Sequence, residues 1–269
     1  MIEKEVQNPI ETMLEEERQN LEIEPESIDI NAIAKELSKM IDEEDSNDVP
    51  YSKEEYTKRF KRFGLKESEI ALTMDELTDK TLVLAGNFDG RKQEKIPKEL
   101  RIVGGNANFI DSPITDLRNL EYILGNADFL FKITDLKNLR VIGGNAYFVN
   151  SSVEDLGNLE RIEGCAYFEG SKIADLKNLR VIGGYAEFEE SPVEDLGNLE
   201  RIGGDASFEG SKITNLKNLR VIGGNAYFAN SSVEDLGNLK DVRGSTYITL
   251  YQGELRKELR KRGILHIAF

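Results

Sequence analysis

The feature that most constrains this chain is a period of twenty residues. From Ala146 it reads AYFVNSSVEDLGNLERIEGC, and the next twenty, from Ala166, read AYFEGSKIADLKNLRVIGGY. Blocks from Ala186, Ala206 and Ala226 keep this register, and Ala107 and Ala127 start two earlier ones, the second a residue short near Phe131 and Lys132. Thr246-Tyr247-Ile248 begins a partial copy, and Leu82-Val83-Leu84 reads as an atypical first rung. Twenty residues cannot bury their own apolar side, so each unit must stack on its neighbours in a solenoid.

Within one block Ala146, Phe148, Val153, Leu156, Leu159 and Ile162 stay apolar. The interval of two between Ala146 and Phe148 has strand periodicity. The intervals of three that follow suit a 3₁₀-like or extended return path. These intervals predict one parallel sheet along the solenoid. Gly143-Gly144, Gly183-Gly184, Gly203-Gly204 and Gly223-Gly224 are expected to supply φ freedom for the turn into the next strand. A forty-residue rhythm overlies the repeat. SSVEDLGNLERI from Ser151 alternates with SKIADLKNLRVI from Ser171 and returns as SPVEDLGNLERI from Ser191, which reads as duplication of repeat pairs.

The block resembles the leucine-rich repeat pattern LxxLxLxxNxL of the short bacterial or phage type. Ala146 and Phe148 stand in the strand leucine positions, Ser151 in the asparagine position, and Leu156 and Leu159 match the later leucines. The resemblance covers about 170 residues in seven in-register copies. It departs at the asparagine ladder, where Ser112, Ser151, Ser171, Ser191, Ser211 and Ser231 stand instead. A receptor-type L domain is the alternative solenoid. The resemblance implies an α/β-type repeat, mostly β, with a parallel sheet, a helical N-terminal segment and caps, and a strand face offered to a protein partner.

Four regions follow from the pattern. Residues 1–48 form an acidic helical arm, with sixteen Asp and Glu against four Lys and Arg. One helix is expected from Pro9 to about Leu21 and another from about Asn31, with Ile33, Leu37, Met40 and Ile41 on one side. The stretch DEEDSNDVP from Asp42 reads as a linker. Residues 49–78 read as a helical N-terminal cap. There Ser52 and Glu55 have capping-box spacing, Tyr56, Phe60 and Phe63 share a face, and Gly64 ends the helix. Residues 79–252 are the solenoid and residues 253–269 a C-terminal cap. That cap is a short helix from Gly253 to Arg262, then Ile264, Leu265, Ile267 and Phe269 as a last strand.

Composition excludes more than it names. A formal net charge of −15 and a pI near 4.7 argue against direct binding to nucleic acid or anionic lipid, which needs excess Lys and Arg. One cysteine, Cys165, and one histidine, His266, leave no multi-cysteine metal site and no Cys-His pair. Asp116, Asp135, Asp155, Asp175, Asp195 and Asp235 recur at one repeat position, as do Asn119, Asn138, Asn158, Asn178, Asn198, Asn218 and Asn238. A group present in every coil is scaffold, since catalysis needs it once. The expectation is a protein that is not an enzyme and takes no cofactor or metal. The opening Met-Ile-Glu-Lys-Glu lacks a signal-peptide pattern, so a cytoplasmic location is expected.

What remains is the outward strand column. It holds Asn108 and Ile110, Asp128 and Leu130, Tyr147 and Val149, Tyr167 and Glu169, Glu187 and Glu189, Ser207 and Glu209, Tyr227 and Ala229, then Tyr247 and Thr249. Tyrosine is enriched among interface hot spots, and folding does not require tyrosine with glutamate on an exposed sheet. Tyr147, Tyr167, Glu169, Glu187, Glu189, Glu209, Tyr227 and Tyr247 are therefore the candidate binding residues, for a protein partner with a basic surface. A sharper form of this expectation is an inhibitor seated in the groove of a nucleic-acid-binding enzyme, of the anti-defence type. The alternative is a structural scaffold or self-assembling repeat without a dedicated ligand surface.

Overall fold

The computed structural model describes residues 28–47, 51–130, 132–249 and 251–265. They form a succession of short strands wound into a parallel β-solenoid of about eight turns, with few helices. The first rung contributes one strand, Ile70–Ala71, and each coil from Val83 onward contributes two strands of two residues each. In the coil around Ala146 these are Val141–Ile142 and Ala146–Tyr147. The first strands build a ten-stranded parallel sheet, sheet I, from Ile70–Ala71 to Asp241–Val242. The second strands build a nine-stranded parallel sheet, sheet II, from Phe88–Asp89 to Thr246–Tyr247.

The expectation of a single sheet is thus corrected. The interval of three from Leu159 to Ile162 conceals a strand in which residue 161 points outward and Ile162 inward. The first strand of sheet I also lies in the stretch assigned to the helical cap, ahead of the rung at Val83–Leu84. A third side is extended, with isolated parallel bridges such as Asp135 to Asp155 and Asp175 to Asp195.

Register is strict. Ala146 lies beside Ala166 and Ala166 beside Ala186, so each residue meets its counterpart one coil away. Ala146, Phe148, Val153, Leu156, Leu159 and Ile162 are all fully buried. The phenylalanines form one internal column, with Phe129, Phe148, Phe168, Phe188, Phe208 and Phe228 spaced 5.1 to 5.5 Å between ring centroids and their planes nearly parallel. Such ring pairs contribute about 0.5–1.5 kcal/mol each beyond their burial.

The corner glycines do not act through φ. None of Gly143, Gly183, Gly203 and Gly223 has a positive φ. A Cβ on Gly183 would instead run into the carbonyl oxygen of Glu163 in the coil below, and one on Gly203 into that of Gly183. The coils pass too closely there for any side chain. Left-handed residues sit at the other two corners. They include Asn150, Gly170 and Glu190 at one and Lys137, Gly157 and Lys177 at the other.

Asparagine ladders do exist, but not at the serine position. Asn87, Asn106, Asn126 and Asn145 each accept, through Oδ1, the backbone N–H of the equivalent residue in the next coil, at 2.7 to 2.8 Å. A second set, Asn119, Asn138, Asn178 and Asn218, donates to carbonyls of the coil below. Ser112, Ser151, Ser171, Ser191 and Ser211 are buried and Ser231 is half-buried. Ser112 bridges Gly90 O and Ile114 N–H, yet Ser151 Oγ and Ser211 Oγ have no partner among the described residues.

The forty-residue rhythm has a physical basis. Arg101, Glu121, Arg140, Glu160, Arg180 and Glu200 follow one another up one edge, pairing as Arg101–Glu121, Arg140–Glu160 (3.1 Å) and Arg180–Glu200 (3.2 Å). At the opposite corner Lys137 pairs with Asp116, Lys177 with Asp155 and Lys217 with Asp195. A pure twenty-residue repeat would set like charge on like charge every rung. Alternation removes that repulsion, although each exposed pair alone is worth under about 1 kcal/mol.

The N-terminal helix is not a free arm. Helix α1, Ile30–Asn47, continues through residues 42–47, where the sequence predicts a linker. Its Ile33, Leu37 and Met40 are fully buried in a cluster with Ile70, Val83, Ile102 and Tyr122 of sheet I. Helix α2, Lys53–Phe60, carries both legs of the Ser52–Glu55 capping box and buries Tyr56 and Phe60 in the same cluster, and Gly64 closes the following turn at φ 84°. At the other end α3, Gly253–Lys261, buries Leu255 and Leu259, and Arg262 donates to Gly237 O and Leu239 O of the last coil. Ile264 is buried but not in a strand. The helix expected over Pro9–Leu21, His266, Ile267 and Phe269 lie outside the described residues.

Two stability changes follow. Gly183→Ala should destabilise by about 1–3 kcal/mol through overpacking, measured by urea unfolding. Leu37→Ala should cost about 2–5 kcal/mol in the same cooperative transition as the solenoid. An unchanged midpoint for Leu37→Ala would detach α1 from the fold.

Candidate protein-binding face on sheet II

The outer face of sheet II is built by the pleat. Ala and Phe point inward, so the residue between them and the one after Phe must face out. Register carries the first column through Asn108, Asp128, Tyr147, Tyr167, Glu187, Ser207, Tyr227 and Tyr247 in that order. Tyr147 and Tyr167 stack with parallel rings 5.1 Å apart, and Tyr227 and Tyr247 stack at 4.7 Å. Asn145 Nδ2 donates to the Tyr147 hydroxyl at 3.0 Å and Asn225 Nδ2 to that of Tyr227 at 3.2 Å. These contacts hold the rings against one another and against the sheet edge. Stacking thus brings the four candidate tyrosines together as two pairs, with Glu187 and Ser207 between them.

The sequence reading missed Tyr185. It replaces the ladder asparagine of its coil and meets Tyr167 edge-on at 6.0 Å. Burial, with Glu187 nearby, pushes its hydroxyl up to about 12, partly offset by a hydrogen bond with Ser207. Ser207 is consequently buried although it sits on the outer column. The signal was present as a tyrosine at a position that holds asparagine in the coils of Asn126, Asn145 and Asn225. Cys165 also interrupts the ladder, where its Sγ accepts the Tyr185 N–H at 3.3 Å.

Charge on this face is one-sided. Residues 145–150, 165–170, 185–190, 205–210 and 225–230 contain six Asp or Glu and no Lys or Arg. At the Arg–Glu edge and the Lys–Asp corner, by contrast, Glu121, Glu160 and Glu200 and Asp116, Asp155 and Asp195 pair across coils. Among the described residues Glu169, Glu187, Glu189 and Glu209 enter no ion pair. Burial raises the pKa of Glu187, and the negative charges of Glu169 and Glu189 raise it further. Asp128, in the same column, is raised by burial. Glu169 and Glu189 are exposed, and Glu209 is half-buried.

The described concavities lie elsewhere. One between α1 and α2 is lined by Glu36, Tyr51, Lys58, Arg59 and Arg62, where Glu36 already pairs with both arginines. Among the described residues no group of three His, Cys, Asp or Glu could hold a metal ion, and no helix is long and apolar enough to cross a membrane. Compared with protein-family models, with curated proteins and with solved structures, the chain matches none of them.

The raised pKa of Glu187 sets a pH dependence. The folded state holds a proton there more firmly than the unfolded chain, so ionisation of Glu187 opposes folding. Stability from this group therefore grows as pH falls through its folded pKa toward the ordinary 4.5. Glu187→Gln should raise the melting temperature at pH 7, with the gain fading near pH 4. A gain that stays constant across that range would remove Glu187 as its cause.

Proposed function

We propose that this chain is a non-catalytic binding protein whose sheet II face engages a basic surface on a partner protein. The observation that carries the reading is the one-sided charge of that face beside two stacked tyrosine pairs. Folding explains the paired carboxylates, since each offsets a cation in a neighbouring coil. It does not explain Glu169, Glu187, Glu189 and Glu209, whose mutual repulsion opposes the stack. A basic partner would relieve that repulsion, and charge complementarity of this kind chiefly speeds association. Tyr147, Tyr167, Tyr227 and Tyr247 give rigid contact area at little entropic cost, because their rings are already held.

The leucine-rich-repeat relationship is part of the same proposal. It rests on the twenty-residue coil with Leu156 and Leu159 inward and a parallel strand face outward. A cytoplasmic location and the absence of catalysis belong to it as well. The narrower form, in which the basic surface is the nucleic-acid groove of an enzyme, requires that nucleic acid displace the chain from its partner.

The test begins with the full chain as bait beside a Glu187→Lys/Glu189→Lys double variant. A partner retained by the parent and lost by the variant is then measured by stopped flow. Tyr167→Ala should weaken binding by about 2 kcal/mol or more if that ring is an anchor. The charge variant should associate more slowly at low salt and converge with the parent at high salt. Equal retention of the partner by parent and charge variant, with salt-independent rates, would move the interface off sheet II.

A further inference from the structure

The two sheets are treated differently by the same fold. Sheet I has an occupant on its outer face, helix α1. Contacts of α1 shift along the stack as the helix advances. Asn31 meets Tyr122 and Arg140, whereas Leu37 approaches the position of Gly104, one to two rungs earlier. Six helical residues rise about 9 Å, and one to two rungs span about 5–10 Å. The helix therefore runs along the solenoid axis, and one helical turn of about 5.4 Å nearly matches one rung of about 4.8 Å. Ile33, Leu37 and Met40, at i, i+4 and i+7, exploit that match. In the cluster that α1 shares with α2 the outward residues of sheet I are apolar: Ile70, Val83, Ile102 and Tyr122. Beyond Val141, where its cover ends, the column alternates: Arg161 and Arg201 are exposed, and Val181 and Val221 between and after them are half-buried.

Sheet II has the same rung spacing, and one of its outward columns changes from apolar to acidic along the axis before ending at Ala229 and Thr249. The column after the internal phenylalanines is Ile110, Leu130 and Val149, all half-buried, and then Glu169, Glu189 and Glu209. We propose that the occupant of sheet II is an amphipathic helix of a partner protein, laid along the solenoid axis as α1 is on sheet I. One end of it presents apolar residues at i, i+4 and i+7 to Ile110, Leu130 and Val149. The other end presents Lys or Arg on successive turns to Glu169, Glu189 and Glu209. This rests on the sheet II reading above and adds to it the partner's secondary structure and charge order. The near match of turn to rung lets each cation reach its own carboxylate over three rungs, whereas an extended strand of the same length would place only alternate side chains on the face.

The experiment uses the full chain and three synthetic 18-residue peptides. The first is helix-forming, with leucines at i, i+4 and i+7 in one half and Lys/Arg on one face of the other half. The second has the same composition with leucines and cations interspersed throughout. The third has the first sequence with two prolines at its centre. Calorimetry should give at least tenfold tighter binding for the first than for either control, with helix circular dichroism rising on mixing. That binding should fall at least tenfold in Val149→Glu and in the Glu189→Lys/Glu209→Lys variant, both checked for parental melting. Equal binding of all three peptides, still lost in the Glu189→Lys/Glu209→Lys variant, overturns the helix while leaving sheet II as the binding face. Binding that survives both sets of substitutions and disappears when the acidic residues before Ile28 are changed to Asn and Gln overturns the helix and the sheet II reading together.

Discussion

Everything in this molecule depends on in-register stacking of parallel coils. Sheet I amides donate to the coil below, as Glu163 N–H does to Ile142 O, and sheet II amides donate to the coil above, as Phe148 N–H does to Tyr167 O. Each coil is thereby held by both neighbours at one fixed spacing. The consequence is that like meets like at every position. Residues that tolerate their own kind persist: phenylalanine on phenylalanine, leucine on leucine, asparagine handing its Oδ1 to the next backbone amide. Along the edge from Arg101 to Glu200 self-repelling groups alternate, Arg and Glu changing places, and in the aspartate column Asp116, Asp155 and Asp195 each take a lysine from a neighbouring coil. At the tightest corner, not even a methyl group fits.

The same rule makes the candidate site recognisable. Beside the alternating Arg–Glu edge and the Lys–Asp corner, the run of acids from Glu169 to Glu209 has no cation paired with it among the described residues. Burial of Glu187 sharpens the cost, because a carboxylate with raised pKa is held partly against its preference. A surface that strains against the fold in this way is relieved by an outside cation, and stacked tyrosines beside it supply apolar area. The capped ends matter too. Helices α2 and α3 and the Arg262 contacts cover the outermost coils, which would otherwise offer unpaired backbone to another chain.

The twenty-residue period, read alone, determined the solenoid, the parallel register and the identity of the core, down to Ala146, Phe148 and Ile162. It also determined which residues of the second strand face outward, because inward and outward positions alternate wherever backbone is pleated. It did not reveal sheet I, since Leu159 and Ile162 stand three apart whether the chain between them is extended or turned. Nor did it tell what Gly183 is for. A glycine that needs positive φ and one that needs an absent Cβ look the same in sequence, and only the position of the Glu163 carbonyl separates them.

Helix α1 marks the other limit. Its stripe of Ile33, Leu37 and Met40 was visible, and so were the apolar pairs Ile102-Val103 and Tyr122-Ile123, where later coils carry Arg161-Ile162 and Arg201-Ile202. Each half of that contact was legible, but nothing local joins residues 33–40 to rungs 30 to 90 positions away. The sequence by itself determined which surfaces are sticky, because polarity is a property of single residues. Only the tertiary structure decided which sticky surfaces cover each other and which face, on sheet II, is left with its charge unopposed. The reason is that burial and ion pairing belong to residues brought together by the stack and not to residues adjacent in the chain.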